Sequence, residues 1–284
     1  MASAGSSGNS RSILTYATVD SFDAERGAMA LALSVCKAIK ACLTGVLLDL
    51  EANIPPSVTN LNFAEMCKQS EQREKRNRQN AHELEAKAAD AGIAIETLTS
   101  IDHSRGIIGF LADHARLHDL LVIGSDSAGL MSDRMIAENV LFEMGRPMLV
   151  APADFVGPFC CKKMVVAWDN SRVAARAMGD ALALFPQVQE IVIIVVGDEK
   201  TIQSSLTAGV VEHTLAKRGL SAKMQHVLAQ ARPVGDVLQA HAEAVEADLL
   251  VMGGFAHSRL RDFILGGATL SVLKAPRVPV LLSH

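Results

Sequence analysis

Asp119-Leu-Leu-Val-Ile-Gly124 returns in the same chain as Asp248-Leu-Leu-Val-Met-Gly253. Each stretch is an acid, four apolar residues and a glycine. A strand that is apolar at every position suits a parallel sheet covered by helices on both faces. A second pair follows in the same order, Arg146-Pro-Met-Leu-Val150 and Val278-Pro-Val-Leu-Leu282. Two ordered matches mark an internal duplication.

Working outward in the second half, strands are expected at Lys163–Trp168, Glu190–Val196, Ala222–Leu228, Asp248–Gly253 and Pro279–Ser283. Helical spacing fills the gaps at Ser171–Phe185, Ser205–Lys217, Pro233–Val245 and Gly266–Ala275. In the first of these, Ser171 is placed to cap the helix start, while Ala174, Met178, Ala181, Leu182 and Phe185 share one face. Strict strand–helix alternation predicts a right-handed doubly wound α/β domain. The first half repeats it with strands at Ile13–Thr18, Gly45–Leu50, Ile93–Thr99, Asp119–Gly124 and Pro147–Ala151, and a helix at Asp23–Ala41. The expectation is two tandem Rossmann-like domains, 1–151 and 162–284, each a mainly parallel five-stranded sheet in the order 3-2-1-4-5. Pro152–Cys161, with two prolines and a glycine, reads as the linker. One segment has no counterpart: irregular Glu51–Asn60 leads into a charged helix at about Asn62–Ala91, read as a solvated face with no function.

Composition narrows the function. The 27 basic and 31 acidic residues are interspersed, giving a net charge of −4 and no basic face for nucleic acid. No run reaches the ~20 apolar residues that span a bilayer. Met1–Arg11 lacks the apolar core of a secretion signal and reads as a disordered leader or expression remnant, so the expected location is the cytoplasm. Five cysteines without a C-x-x-C pair suggest ordinary thiols, the adjacent Cys160 and Cys161 included. The nine histidines show no zinc-binding spacing; His114 and His118, four apart, read as solvated residues at a helix end.

Chemistry concentrates in Gly253–Thr269. Helix N-termini expose unpaired N–H groups and the positive end of the peptide dipole, so glycine turns entering helices suit phosphate. Gly253-Gly254 closes the fourth strand and Gly266-Gly267 opens the last helix; between them His257, Ser258 and Arg259 offer a hydroxyl and cations, with Thr269 just beyond. At the same carboxyl edge, the first strand ends in Trp168-Asp169-Asn170-Ser171. Asp169 is placed either to hold a ribose hydroxyl pair or to satisfy backbone donors of the turn.

These residues resemble the ATP-binding members of the universal stress protein (UspA) family. Their frame is an Asp after the first strand, G-x-x-G, nine residues, G-(S/T) and a closing P-V-L strand. Gly253, the nine residues His257–Leu265, Gly266-Gly267 and Pro279-Val280-Leu281 reproduce it, with Ala256 at the second glycine and Gly267 at the hydroxyl position. The H-S-R-L-R run and the G-G-x-T ending are similar to the C-terminal halves of bacterial tandem members. The resemblance implies ATP, or ADP or AMP, with Mg2+ as a candidate counter-ion. It places Asp169 and Ser171 near the ribose, Val196 near the base, and Gly253, Gly254, His257, Ser258, Arg259, Gly266, Gly267 and Thr269 around the phosphates. It also implies a stress-response role, pairing of the two domains through their last strands as a pseudo-dimer, and further homodimerisation. Asp20 and Ser21 echo the family's Asp in the first half, but Asp126 and Asp133 stand where phosphate would approach, so that copy reads as structural.

Rival frames fit poorly. Neither half has G-x-G-x-x-G after its first strand, and the G-x-x-x-x-G-K-[ST] loop is absent. No lysine lies in Gly253–Thr269, so at most slow ATP hydrolysis is expected. Ser125-Asp-Ser127-Ala-Gly129 mimics a nucleophile elbow without its first glycine, which leaves a serine hydrolase using Ser127 as a remote alternative. A ligand-free interaction module is the other.

Overall fold

The computed structural model describes residues 11–49, 63–99, 106–125, 133–197, 207–254 and 267–284. The first half contains β1 (Ser12–Thr18), α1 (Gly27–Ile39), β2 (Cys42–Leu48), α2 (Phe63–Asp90), β3 (Ile95–Leu98), α3 (Gly106–Ala115), β4 (Leu120–Ile123), α4 (Asp133–Met144) and β5 (Met148–Val150). The second contains β6 (Lys163–Ala167), α5 (Arg172–Leu184), β7 (Glu190–Val196), α6 (Ala208–Ala216), β8 (Ser221–Val227), α7 (Val234–Ala244), β9 (Leu249–Gly253), α8 (Gly267–Lys274) and β10 (Val280–Ser283). The strands follow the apolar runs closely. The largest shift is β2, which starts at Cys42, three residues ahead of the expected Gly45.

The strands form one ten-stranded sheet in the order β3-β2-β1-β4-β5-β10-β9-β6-β7-β8. Each half therefore has the order 3-2-1-4-5, and all pairings within a half are parallel. The halves join where β5 and β10 pair antiparallel, Val280 opposite Val150 and Leu282 opposite Met148. The last strands thus meet within one chain, as the resemblance implied.

Apolar clusters cover both faces, and each crosses the seam. One gathers α1, α2, α5 and α6 through Leu31, Val35, Leu84, Ala177, Phe185 and Leu215. The other gathers α3, α4, α7 and α8 through Leu111, Val140, Leu238 and Val272. Neighbours along β10 face opposite ways: Leu281 joins the first cluster, Val280 and Leu282 the second. Polar contacts add to the seam. The Arg11 guanidinium donates to the carbonyls of Ala183 and Leu184 at the end of α5. Arg176 on α5 donates to Gly145 O beyond α4. The segment after β5 is irregular, but it is packed. Gly27 N–H donates to Phe155 O, Phe159 N–H donates to Ser34 Oγ, and the Phe159 ring meets Phe185 edge to face.

α2 differs from the sequence reading in one respect. Its outer face is solvated, but Asn77, Ala81, Leu84 and Ala88 form a buried stripe over β2. Leu84 sits so close that a Cβ on Gly45 would lie 2.7 Å from its Cδ2. His118 also departs from expectation. It lies past the end of α3, half-buried, and its Nδ1–H donates to His114 O while Nε2 accepts from Thr44 Oγ1. The ring ties the α3–β4 turn to β2. His114 is pushed below its usual pKa, first by burial and then by His118. Among the described residues no cluster of His, Cys, Asp or Glu could hold a metal, and no helix is long and apolar enough to cross a membrane.

Leu281→Ala removes a fully buried side chain at the centre of the joined sheet and is expected to cost about 2–5 kcal/mol in urea unfolding. Burial pushes the Cys36 and Cys161 thiols up to about 12. Since the thiolate is the nucleophile, neither should react with a disulfide reagent at pH 8 in the native protein, whereas exposed Cys67 and Cys160 should. Peptide mapping after brief labelling checks this.

Candidate functional site

In open α/β sheets ligands bind outside the carboxyl ends of the strands, where the strand order reverses. In the second half that point lies between β6 and β9, with β7 beyond β6. Asp169 follows β6 and is exposed. Its Oδ1 accepts from Ser171 N–H at 2.9 Å, and Ser171 Oγ in turn accepts from Ala174 N–H at 3.1 Å to cap α5. The turn-forming role therefore operates, and it uses one carboxylate oxygen of Asp169. Asn170 adopts φ 60°, in the left-handed region that Asn tolerates, and its Oδ1 accepts from Trp168 Nε1. Val196 ends β7, half-buried.

The glycines serve different purposes. A Cβ on Gly253 would lie 2.6 Å from Val173 Cγ2 and 2.8 Å from Ala174 N, so the bare backbone lets the first turn of α5 rest on the end of β9. Gly254 is buried at the seam. Its N–H donates to Ser283 O, its carbonyl accepts from His284 Nδ1, and a Cβ there would meet Leu141 Cδ2 of α4 at 2.8 Å. The Gly254 amide is thus engaged in the sheet. Gly267 opens α8, is exposed, and has nothing within 4 Å of where a Cβ would sit. Thr269, two residues in, is 3% exposed. The structure therefore brings Asp169, Ser171, Val196 and Gly253 to one strand edge. His257, Ser258, Arg259 and Gly266, together with Ala256, lie outside the described residues, as does Ser127.

Register superposes the two halves. Ile13 pairs with Leu120, and Met164 with Leu249. Counting on from these pairs, Gly124 corresponds to Gly253, and Thr18, two residues before Asp20, corresponds to Asp169. Thr18 is closed on itself: its Oγ1 and N–H both bond with Ser21. Asp20, further along the loop, is bound by α2. Arg73 donates to Asp20 at 2.9 Å and to Asp49 at 2.8 Å, and Arg76 reaches Asp20 at 3.2 Å. Asn77 Nδ2 donates to Leu47 O at the end of β2. Sequence reasoning passed over this clamp, although Arg73, Arg76, Asn77 and Asn80 already recur at helical spacing on one face. That polar stripe continues the apolar stripe of Ala81, Leu84 and Ala88 past the sheet edge.

Fold and crevice define a duplicated doubly wound α/β protein whose second copy keeps an open strand edge. Residues 161–284 match the model of the universal stress protein family. Universal stress protein Slr1230 of Synechocystis sp. is 24% identical over 194 residues, which are 66% of this chain and 65% of the relative, so the match spans just under two thirds of that protein. A universal stress protein from Archaeoglobus fulgidus has the same fold over the whole length, with a TM-score of 0.70, 18% identity and 96% of each chain covered. A functionally unknown protein from Pseudomonas aeruginosa PAO1 aligns with a TM-score of 0.57 and 13% identity, covering 97% of this chain and 92% of its own.

Gly253→Ala forces a methyl group into the α5 backbone and is expected to cost about 1–3 kcal/mol, whereas Gly267→Ala meets open space and should not destabilise the fold. Paired urea melts of the two variants check the contrast.

Proposed function

We propose that the second half binds an adenine nucleotide, ATP or its products ADP or AMP with Mg2+ as counter-ion, in a cytoplasmic protein that serves the stress response. The observation that carries this reading is the meeting of Asp169, the end of β7 and the glycine at the end of β9 at the point of strand-order reversal, within a segment that matches the model of the universal stress protein family. Asp169 retains a carboxylate oxygen beyond the one used by Ser171 N–H, and this oxygen would receive ribose hydroxyls. Backbone groups near Val196 would face the base. Gly266 and Gly267, at the positive end of α8, would receive the phosphates together with His257, Ser258 and Arg259. Gly253, Gly254, Ser171 and Thr269 would shape the wall, since their packing and hydrogen bonds already serve the fold.

The same reading divides the chain into domains 1–151 and 162–284 with a connecting segment at 152–161. A homodimer of whole chains is part of it. Catalysis is not: the role proposed is binding.

Gly267→Asp tests the phosphate position cleanly. The side chain has room, and an acid in the first turn of a helix is favourable by about 0.3–1 kcal/mol, so stability should hold. A fixed carboxylate beside the phosphates should nevertheless weaken ATP binding by about tenfold or more, a change of about 1.4 kcal/mol. Titration calorimetry with ATP on wild type, Gly267→Asp and Asp169→Asn measures it. Chromatography of nucleotides released from freshly denatured protein gives a second readout. If wild type releases none and shows no heat that the variants lack, the chain is an interaction module without a nucleotide.

A further inference from the structure

The two halves fill equivalent space differently. In the second, four residues separate β6 from α5, residues 168–171, and α5 lies directly on Gly253. In the first, eight residues separate β1 from α1, residues 19–26, and the start of α1 and Gly124 line a common cavity. A cavity of about 390 Å³ opens there. Its apolar wall includes Tyr16, Phe22, Met29 and Ala153, and its polar wall includes Asp20, Ser21, Asp23, Arg26 and Ser125. Neither Leu48 at the end of β2 nor any α4 residue lines it. It therefore includes Gly124 and Ser125, the equivalents of Gly253 and Gly254, and extends from them toward α1 and the connecting segment, away from the end of β2.

Its charged groups are prepared for a guest in three ways. Asp20 is fixed from outside by Arg73 and Arg76, which also balance its charge. Asp23 uses Oδ1 to accept from Glu25 N–H, which leaves Oδ2 for another donor. Arg26 makes no ion pair among the described residues, although two carboxylates share its cavity. A guanidinium, a carboxylate and an apolar wall in a cavity of ordinary ligand size match a small molecule with an anionic end, a cationic end and an apolar body.

We propose that this cavity binds a free amino acid, with Arg26 holding the carboxylate, Asp23 the ammonium group, and Phe22, Tyr16 and Met29 the side chain. The first half is then a ligand-binding domain of its own, contrary to its reading as a structural copy. Recognition uses both ends of the molecule, each paired with a side chain of opposite charge at the rim of the cavity.

The test uses the full chain and a panel of free amino acids as probes, each compared with its N-acetylated and its carboxamide form. Saturation-transfer NMR and the shift of the thermal midpoint are read together. The expected result is that at least one free amino acid with an apolar side chain gives both signals, and that blocking either end removes them. Arg26→Gln and Asp23→Asn, both at exposed positions where folding should be unaffected, should each weaken that binding by about tenfold. Gly267→Asp should leave it unchanged, which separates this site from the nucleotide reading. The proposal is overturned if no free amino acid gives a signal in wild type, if the signals survive both substitutions, or if ATP alone competes for the site.

Discussion

The antiparallel pairing of β5 with β10 is the constraint on which the rest of the molecule depends. A five-stranded parallel sheet of this order ends in an exposed strand whose unpaired N–H and C=O groups invite association. Here each half covers the other's open edge. That pairing fully buries Met148, Leu149, Leu281 and Leu282 and carries both apolar clusters across the seam. It also reaches the candidate site: Gly254 is held by Ser283 O and His284 of its own half, while Leu141 of the other half packs against it next to the strand end that presents Gly253. At the outer edge, Glu212 of α6 accepts from Met224 N–H of β8, which occupies one of the groups that edge pairing would need.

Given a common frame, the length of the crossover after the first strand sets what each crevice holds. The short crossover at 168–171, capped by Ser171, drives the start of α5 onto a glycine. The longer one at 19–26 leaves a polar cavity beside the start of α1. A duplicated fold can thus acquire two unlike crevices without altering a strand, because loops can lengthen at modest entropic cost while the buried ladder cannot shift register.

α2 adds a second asymmetry. At 28 residues against 9 for α6 it runs past the sheet, and its charged end binds Asp20 and Asp49 at the ends of the first two strands. Arg73 and Asp49 are both largely shielded from solvent, so removing either would strand the charge of the other, whereas Asp20 is more exposed. The helix thereby seals the part of the first crevice that corresponds to the end of β7 in the second.

Much of this was legible in the chain itself. Fully apolar strands, helical spacing and the repeated D-L-L-V-x-G and P-x-L motifs determined the fold class and the duplication, because those depend on local periodicity and on which faces must be buried. The frame of Asp169 and the glycines came from the resemblance to the universal stress protein family. Tertiary structure decided the rest. That Thr18, not Asp20, corresponds to Asp169 depends on strand register, which no single strand encodes. The work of Gly253 and Gly254 in close packing, the clamp of Arg73 and Arg76, the bonding of His118 to Thr44, and the cavity beside Arg26 all join residues far apart in the chain. Such contacts arise only once helices are seated on the sheet, when the position of one element is set by the volume of another.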